Sequence, residues 1–178
     1  MCASDLRGVQ HPTETVPLST LLQSSIRSLV RDYDLEGDEI NVVVPPRDPL
    51  LAVDASSARL ALGQLLHNAV TSGSGWVEVT LLGQGRNWPT GVEEADLSSA
   101  VRQALSRGFV GVSIRNTASL TRKDEAYIRR VLLGRADDDD EVRGLGLPLA
   151  RLFTALLGGQ IIFQWRSSTS EVTFTLLL

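Results

Sequence analysis

The chain has 178 residues, of which 43% are apolar and 21% are charged, as is typical of soluble globular proteins. Its formal net charge of −4 argues against a nucleic-acid binder that relies on bulk positive charge. A single cysteine excludes a disulfide framework, and no apolar run approaches the roughly 18 residues that a membrane span requires. We therefore expect a cytoplasmic protein, or one of an organelle interior, without membrane insertion.

The first segments predict an arm, a helix and a strand. Residues 1–15 are polar, and we expect a flexible N-terminal arm that precedes one domain over residues 16–178. Apolar residues recur at helical spacing over residues 17–34, with Ser19 as the expected N-cap. Residues 39–44 have the composition of a β-strand that two prolines terminate.

The middle of the chain predicts two strands, a capped helix and an insert. Residues 50–53 are expected to form a short strand, and Asp54 is well placed to cap the helix that follows. Residues 76–82 alternate as a strand. The segment 83–108 is longer than an ordinary hairpin connection and contains helical spacing over residues 92–106. This insert either adds to the core or contacts a partner.

The remaining elements complete an α+β fold. We expect helices at 121–133 and 147–157 and strands at 109–114, 160–165 and 171–177. Strands grouped with several long helices predict one mixed sheet that helices cover on one face, a two-layer α/β sandwich.

Two segments resemble the nucleotide-binding motifs of a known family. The first is L-G-Q-L-L-H-N-A-V at 62–70, and the second is R-G-L-G-L-P-L-A-R at 143–151, followed by L-G-G at 157–159. In order and spacing they resemble the N-box and a glycine box of the ATP-binding domain of sensor histidine kinases, which has the Bergerat fold. The resemblance covers residues 16–178 and implies ATP and Mg²⁺ as ligands.

Gln64 and Asn68 project from the same face of one helix because they are four residues apart. The resemblance implies that Asn68 binds the metal of a magnesium–triphosphate unit, a role that suits its hard amide oxygen. It places Gln64 near the phosphates, where a glutamine cannot act as a base. The alternative is an amphipathic core helix whose polar residues face solvent.

The glycine box precedes a predicted helix. Glycine permits positive φ and close backbone approach, and the free amides of a helix N-terminus favour phosphate. The resemblance therefore implies that four consecutive residues contact the phosphates: Gly144, Leu145, Gly146 and Leu147. The alternative is a simple glycine-containing loop before a helix.

The purine-binding motif departs from the family pattern D-x-G-x-G. Asn116 stands at the aspartate that accepts the adenine amino group, and Ala118 stands at the first glycine. Asn116 retains one hydrogen-bond acceptor but brings no charge, and charge-assisted hydrogen bonds are about twice as strong as neutral ones. Val172 replaces a hydroxyl residue of the last strand and Glu171 replaces a glycine. Together these changes predict nucleotide binding that is weakened about 100-fold or more.

Three functions remain open at this stage. The first is a histidine-kinase-like domain with a compromised nucleotide site that acts as a regulatory or interaction module, binding ATP and Mg²⁺ weakly or not at all. The second is a functional Mg-ATP-binding kinase domain, and the third is a structural subunit of a larger assembly. The partner is expected to be a protein, a second copy of the chain included. The acidic run 137–141 is either a solvated loop or a docking strip for a basic partner. No residue is assigned a catalytic role.

Overall fold

The computed structural model describes residues 13–33, 40–73, 76–85, 87, 89, 97–135 and 144–178. These ranges contain seven strands and five helices. The strands are β1 (Glu14–Pro17), β2 (Ile40–Val43), β3 (Leu50–Val53), β4 (Val77–Leu82), β5 (Gly111–Thr117), β6 (Gln160–Arg166) and β7 (Glu171–Leu177). The helices are α1 (Leu18–Tyr33), α2 (Ala55–Ser72), α3 (Ser99–Ser106), α4 (Arg122–Leu133) and α5 (Gly146–Leu156).

The main sheet has five strands in the order β2-β4-β5-β7-β6. Strands β2 and β4 are parallel, and the other neighbours are antiparallel, so the sheet is mixed as predicted. The register aligns Val77, Asn116, Val172 and Trp165 in one row across four strands. Since side chains alternate between the faces of a sheet, this row shares one face.

Four helices cover that face. Helix α2 lies at the centre of the layer and packs against α1 on one side and α5 on the other, and α4 packs against α5. Apolar residues of α2 and of the strands are fully buried between the layers, among them Leu62, Leu65, Leu66, Val79, Leu81, Ile114 and Leu176. Within the described ranges, no helix has both the length and the apolar character that crossing a bilayer would need.

Helix α3, from the insert, lies against the opposite face of the sheet. Its Val101 and Leu105 are buried in a separate cluster with Leu82 and Leu177. The helix begins at Ser99 rather than at residue 92, because the Ser98 side chain accepts the Val101 amide and caps it. Residues 90–96 lie outside the described residues. The described part of the insert therefore extends the core, which is one of its two expected roles.

Two predictions near the N-terminus are wrong. Strand β1 pairs antiparallel with β3, so Glu14 and Thr15 belong to a small second sheet rather than to a flexible arm. Residues 1–12 lie outside the described residues. Ser19 is the second residue of α1, and its amide and hydroxyl both donate to the Asp48 carboxylate instead of capping the helix.

The Asp54→Ala variant tests the cap of α2. One Asp54 carboxylate oxygen accepts the Ser56 amide at 3.0 Å and the other accepts the Ser57 hydroxyl at 2.6 Å. Loss of such a cap lowers the free energy of unfolding by about 1 kcal/mol. Urea denaturation measures this loss. The exposed Ser56→Ala variant keeps the cap and should stay within about 0.5 kcal/mol of the wild type. Equal effects in the two variants would contradict this role of Asp54.

Candidate functional site

A cavity of about 390 Å³ opens between α2, α4, the start of α5 and the adjoining ends of β5 and β7. Every candidate site residue from the sequence lines it: Gln64, Asn68, Asn116, Ala118, Gly144, Leu145, Gly146, Leu147 and Val172. The nine residues come from three separate parts of the chain. The fold thus brings the three motif segments to one concave site, which is the usual form of a small-molecule site.

One end of the cavity is formed where α2 meets the start of α5. A Cβ atom at Gly146 would lie 2.8 Å from Asn68 Oδ1 and 3.2 Å from Gln64 Oε1. The absence of a side chain at Gly146 therefore lets the helix start approach both amide side chains. The Asn68 oxygen lies next to the first turn of α5, as the resemblance implies.

The N-terminus of α5 has no side-chain cap. Leu145 stands at the cap position without a side-chain hydrogen bond, and Gly144 before it has a φ of +101°, which favours glycine. Pro148 lies in the first turn, where its missing N–H removes no helical hydrogen bond. An uncapped helix start presents amide groups and the positive end of the helix dipole to an anion.

At the other end, Asn116 is buried, with 2% of its surface exposed. Its side-chain N–H group donates to the Ala69 carbonyl oxygen of α2 at 3.0 Å. Its own carbonyl oxygen is buried and has no hydrogen-bond partner among the described residues. Because buried polar atoms are nearly always satisfied, this acceptor marks a place for a donor that the chain does not supply.

Val172 and Ala118 form the apolar surroundings of Asn116. Val172 pairs with Asn116 across β5 and β7 and is 3% exposed, while Ala118 follows β5 and is 6% exposed. Glu171 lies on the opposite face, where it pairs with Arg115 at 3.4 Å and Arg166 at 3.6 Å. The carboxylate at this position therefore adds no charge to the cavity.

Helix α4 contributes lining residues that the sequence analysis did not identify: Asp124, Tyr127 and Ile128. The Asp124 carboxylate is engaged in a capping box with the Thr121 amide and hydroxyl at 2.8 and 2.6 Å. The T-x-x-D spacing predicts the start of this helix, but no local signal shows that it faces the cavity.

The electrostatic character of the cavity is weak. None of its described lining residues is a lysine or an arginine, and Asp124 is its one carboxylate. Arg143 and the acidic run 137–141 lie outside the described residues. Within the described ranges, the positive character available to an anion therefore comes from backbone amides and from any bound cation.

The donor set fits a magnesium ion that a nucleotide brings with it. Among the described residues, no three His, Cys, Asp or Glu side chains come together as a metal site. Asn68 offers one amide oxygen beside the uncapped helix start. Mg²⁺ commonly takes one or two protein oxygens and completes its shell with water and phosphate. Asn68 would hold the ion, which neutralises phosphate charge when bound.

Comparison with solved structures identifies the fold. The mycobacterial sensor histidine kinase MprB matches over 93% of this chain and 96% of its own, with a TM-score of 0.60 and 16% identity. The catalytic domain of histidine kinase ThkA matches over 93% and 95%, with a TM-score of 0.59 and 16% identity. The cytoplasmic segment of histidine kinase QseC matches over 96% and 80%, with a TM-score of 0.52 and 16% identity.

Searches by sequence add no closer relative: no model of a known protein family and no curated protein matches the chain. At 16% identity, the structural matches establish the architecture and not the chemistry of the site. The chain therefore has the α+β fold of histidine kinase catalytic domains.

Proposed function

We propose that the cavity binds a magnesium–adenine nucleotide weakly and that the chain serves as a regulatory or interaction module in phosphotransfer signalling. The observation that carries this proposal is the approach of Gly146 to Asn68 and Gln64 at the uncapped start of α5. This arrangement joins a hard oxygen ligand to free backbone amides, the combination that a magnesium–phosphate unit needs.

The purine end is the reason to expect weak binding. Asn116 offers a neutral acceptor, and Val172 beside it offers no hydroxyl group. A hydrogen bond to a charged group contributes about 1.5–3 kcal/mol, and a neutral one about 1 kcal/mol. We therefore expect a dissociation constant on the order of millimolar.

A regulatory role follows from the chemistry that the cavity lacks. Gln64 occupies the α2 position nearest the helix start, and an amide cannot accept a proton from an attacking group. Such a domain can change conformation on binding a ligand without transferring phosphate. Its expected partner is a cytoplasmic signalling protein or a second copy of the chain.

A functional kinase catalytic domain is the alternative, and the intact phosphate end favours it. The two proposals differ in affinity and in turnover. A catalytic domain would bind Mg-ATP at micromolar concentration and would transfer or hydrolyse its terminal phosphate.

Thermal unfolding in the presence of Mg-ATP tests the proposal. We expect no shift in Tm at micromolar nucleotide and a rise of about 3–6 °C at ten times a millimolar dissociation constant. Phosphate release in the same samples should equal that of a protein-free control. Saturation at micromolar Mg-ATP with measurable phosphate release would instead establish the catalytic alternative.

A further inference from the structure

The amide group of Asn116 has only one orientation that the surrounding backbone allows. Its Nδ2 atom is placed 3.0 Å from the Ala69 carbonyl oxygen, a group that can only accept a hydrogen bond. Reversing the amide would bring two acceptor oxygens together in a buried position. The Asn116 oxygen therefore points away from Ala69 and stays the unpaired acceptor in the cavity wall.

Gly73, at the end of α2, is part of the same arrangement. Its φ of −90° and ψ of 165° are open to any residue, so the backbone conformation does not require glycine there. A Cβ atom at this position would lie 2.7 Å from Asn116 Nδ2 and 2.6 Å from the Ala69 oxygen. Glycine is thus explained by the close approach of Asn116 to the end of α2.

We infer that Asn116 is a specificity-determining residue whose amide is held by Ala69 and Gly73, so that the cavity presents one fixed neutral acceptor to a ligand amino group. This inference deepens the proposed function and rests on it for the identity of the ligand. A carboxylate cannot take the same place, because one of its oxygens would face the Ala69 carbonyl oxygen at hydrogen-bond distance with no proton between them. The change from aspartate to asparagine at this position is then a different solution rather than a simple loss.

The surroundings offer no charge that would compensate a carboxylate. The cross-strand neighbours of Asn116 are Val77 and Val172, both apolar. The titratable residues that line the cavity are His67, Asp124 and Tyr127, and none of them is a lysine or an arginine. A buried carboxylate at position 116 would therefore be held protonated to a higher pH than in the unfolded chain.

The Asn116→Asp variant tests the inference through the pH dependence of its stability. An aspartate whose pKa is raised in the folded protein loses stability as pH rises from its unfolded pKa of about 3.9 towards the folded value. We expect a Tm about 5 °C or more below wild type at pH 7, with much of this loss recovered at pH 4.5. Asn116→Ala removes the same amide without adding a charge, so any titration of His67 or Asp124 cancels between these variants.

The chain supplies a matched control in Asn87, whose Nδ2 atom donates to the Arg47 carbonyl oxygen at 2.9 Å. Asn87 is half-exposed, so water can solvate a carboxylate there. Asn87→Asp should show the same loss of Tm at both pH values. If Asn116→Asp behaves like this control, or is as stable as wild type at pH 7, the inference is wrong.

Nucleotide selectivity gives a second readout. The wild-type protein should bind Mg-ATP about tenfold more tightly than Mg-ITP, which has an oxo group in place of the amino group. Asn116→Asp should not bind Mg-ATP more tightly than wild type. Equal binding of ATP and ITP, or tighter ATP binding by Asn116→Asp, contradicts the inference. If no nucleotide binds, the proposed function fails, and the pH dependence of Asn116→Asp still decides whether the amide is fixed as inferred.

Discussion

Replacement of Asn68 by alanine is expected to abolish the magnesium-dependent stabilisation of the protein by ATP. The Asn68 oxygen lies beside Gly146 at the start of α5, where it is the described side chain best placed to hold a cation against a phosphate group. Loss of a contact to a charged group weakens binding by about 10- to 100-fold. From a millimolar starting point, the variant should show no shift in Tm at any practical Mg-ATP concentration.

Asn41→Ala is the matched control for this prediction. Asn41 is an exposed residue of β2, outside the cavity, so its loss should leave the response to Mg-ATP unchanged. Both variants should unfold in the absence of nucleotide within a few degrees of the wild type. An Asn68→Ala protein that still responds to Mg-ATP would show that the metal is held elsewhere.

The second large effect is expected for Gly159→Ala, in the L-G-G segment after α5. A Cβ atom at Gly159 would overlap the Leu177 carbonyl oxygen, which belongs to the backbone of β7. Gly159 also donates its amide to the Thr154 carbonyl oxygen at 2.9 Å, so the segment is held from both sides. Since neither backbone can move away freely, we expect the free energy of unfolding to fall by roughly 2–3 kcal/mol.

Gly158→Ala separates this close approach from backbone conformation. Gly158 has a φ of +73°, and a Cβ atom there would meet no atom within 4 Å. An alanine at this position costs only the left-handed conformation, about 1 kcal/mol. Urea denaturation of the two variants gives both values. A larger loss at Gly158 than at Gly159 would contradict this explanation of the L-G-G segment.

Local signals predicted the parts of the site that one helix or one loop determines. Asp54 caps α2 because its carboxylate reaches amides only two and three residues ahead. The spacing of Gln64 and Asn68 places both on one side of α2, and the glycine box precedes α5 as the resemblance implied. In each case the relevant partner is close in sequence or belongs to a motif with a known order.

Contacts between distant segments were not predictable in this way. The partner of Asn116 is a backbone carbonyl 47 residues earlier, and the partner of Ser19 is an aspartate 29 residues later. Asp124 and Tyr127 line the cavity only because α4 packs beside α5. The sequence shows the chemical type of these residues but not the tertiary packing that decides which groups meet.

The position of Asn116 also changes how the sequence departures should be interpreted. From the sequence, the loss of an aspartate and of a hydroxyl residue suggested a pocket no longer suited to adenine. The structure shows a buried acceptor without a partner, fixed by Ala69 beside Gly73. An unused pocket would have no reason to keep an unsatisfied polar atom, which is costly to bury.

Calorimetric titration of the wild-type protein with ATP, with and without Mg²⁺, tests the central proposal most directly. We predict binding with a dissociation constant on the order of millimolar that is lost when Mg²⁺ is removed, since the cavity has no described lysine or arginine to meet the phosphates. Micromolar binding would contradict a weakened purine end. Binding that does not depend on Mg²⁺, or no binding at about ten times the expected constant, would contradict the role of the Asn68 end of the cavity.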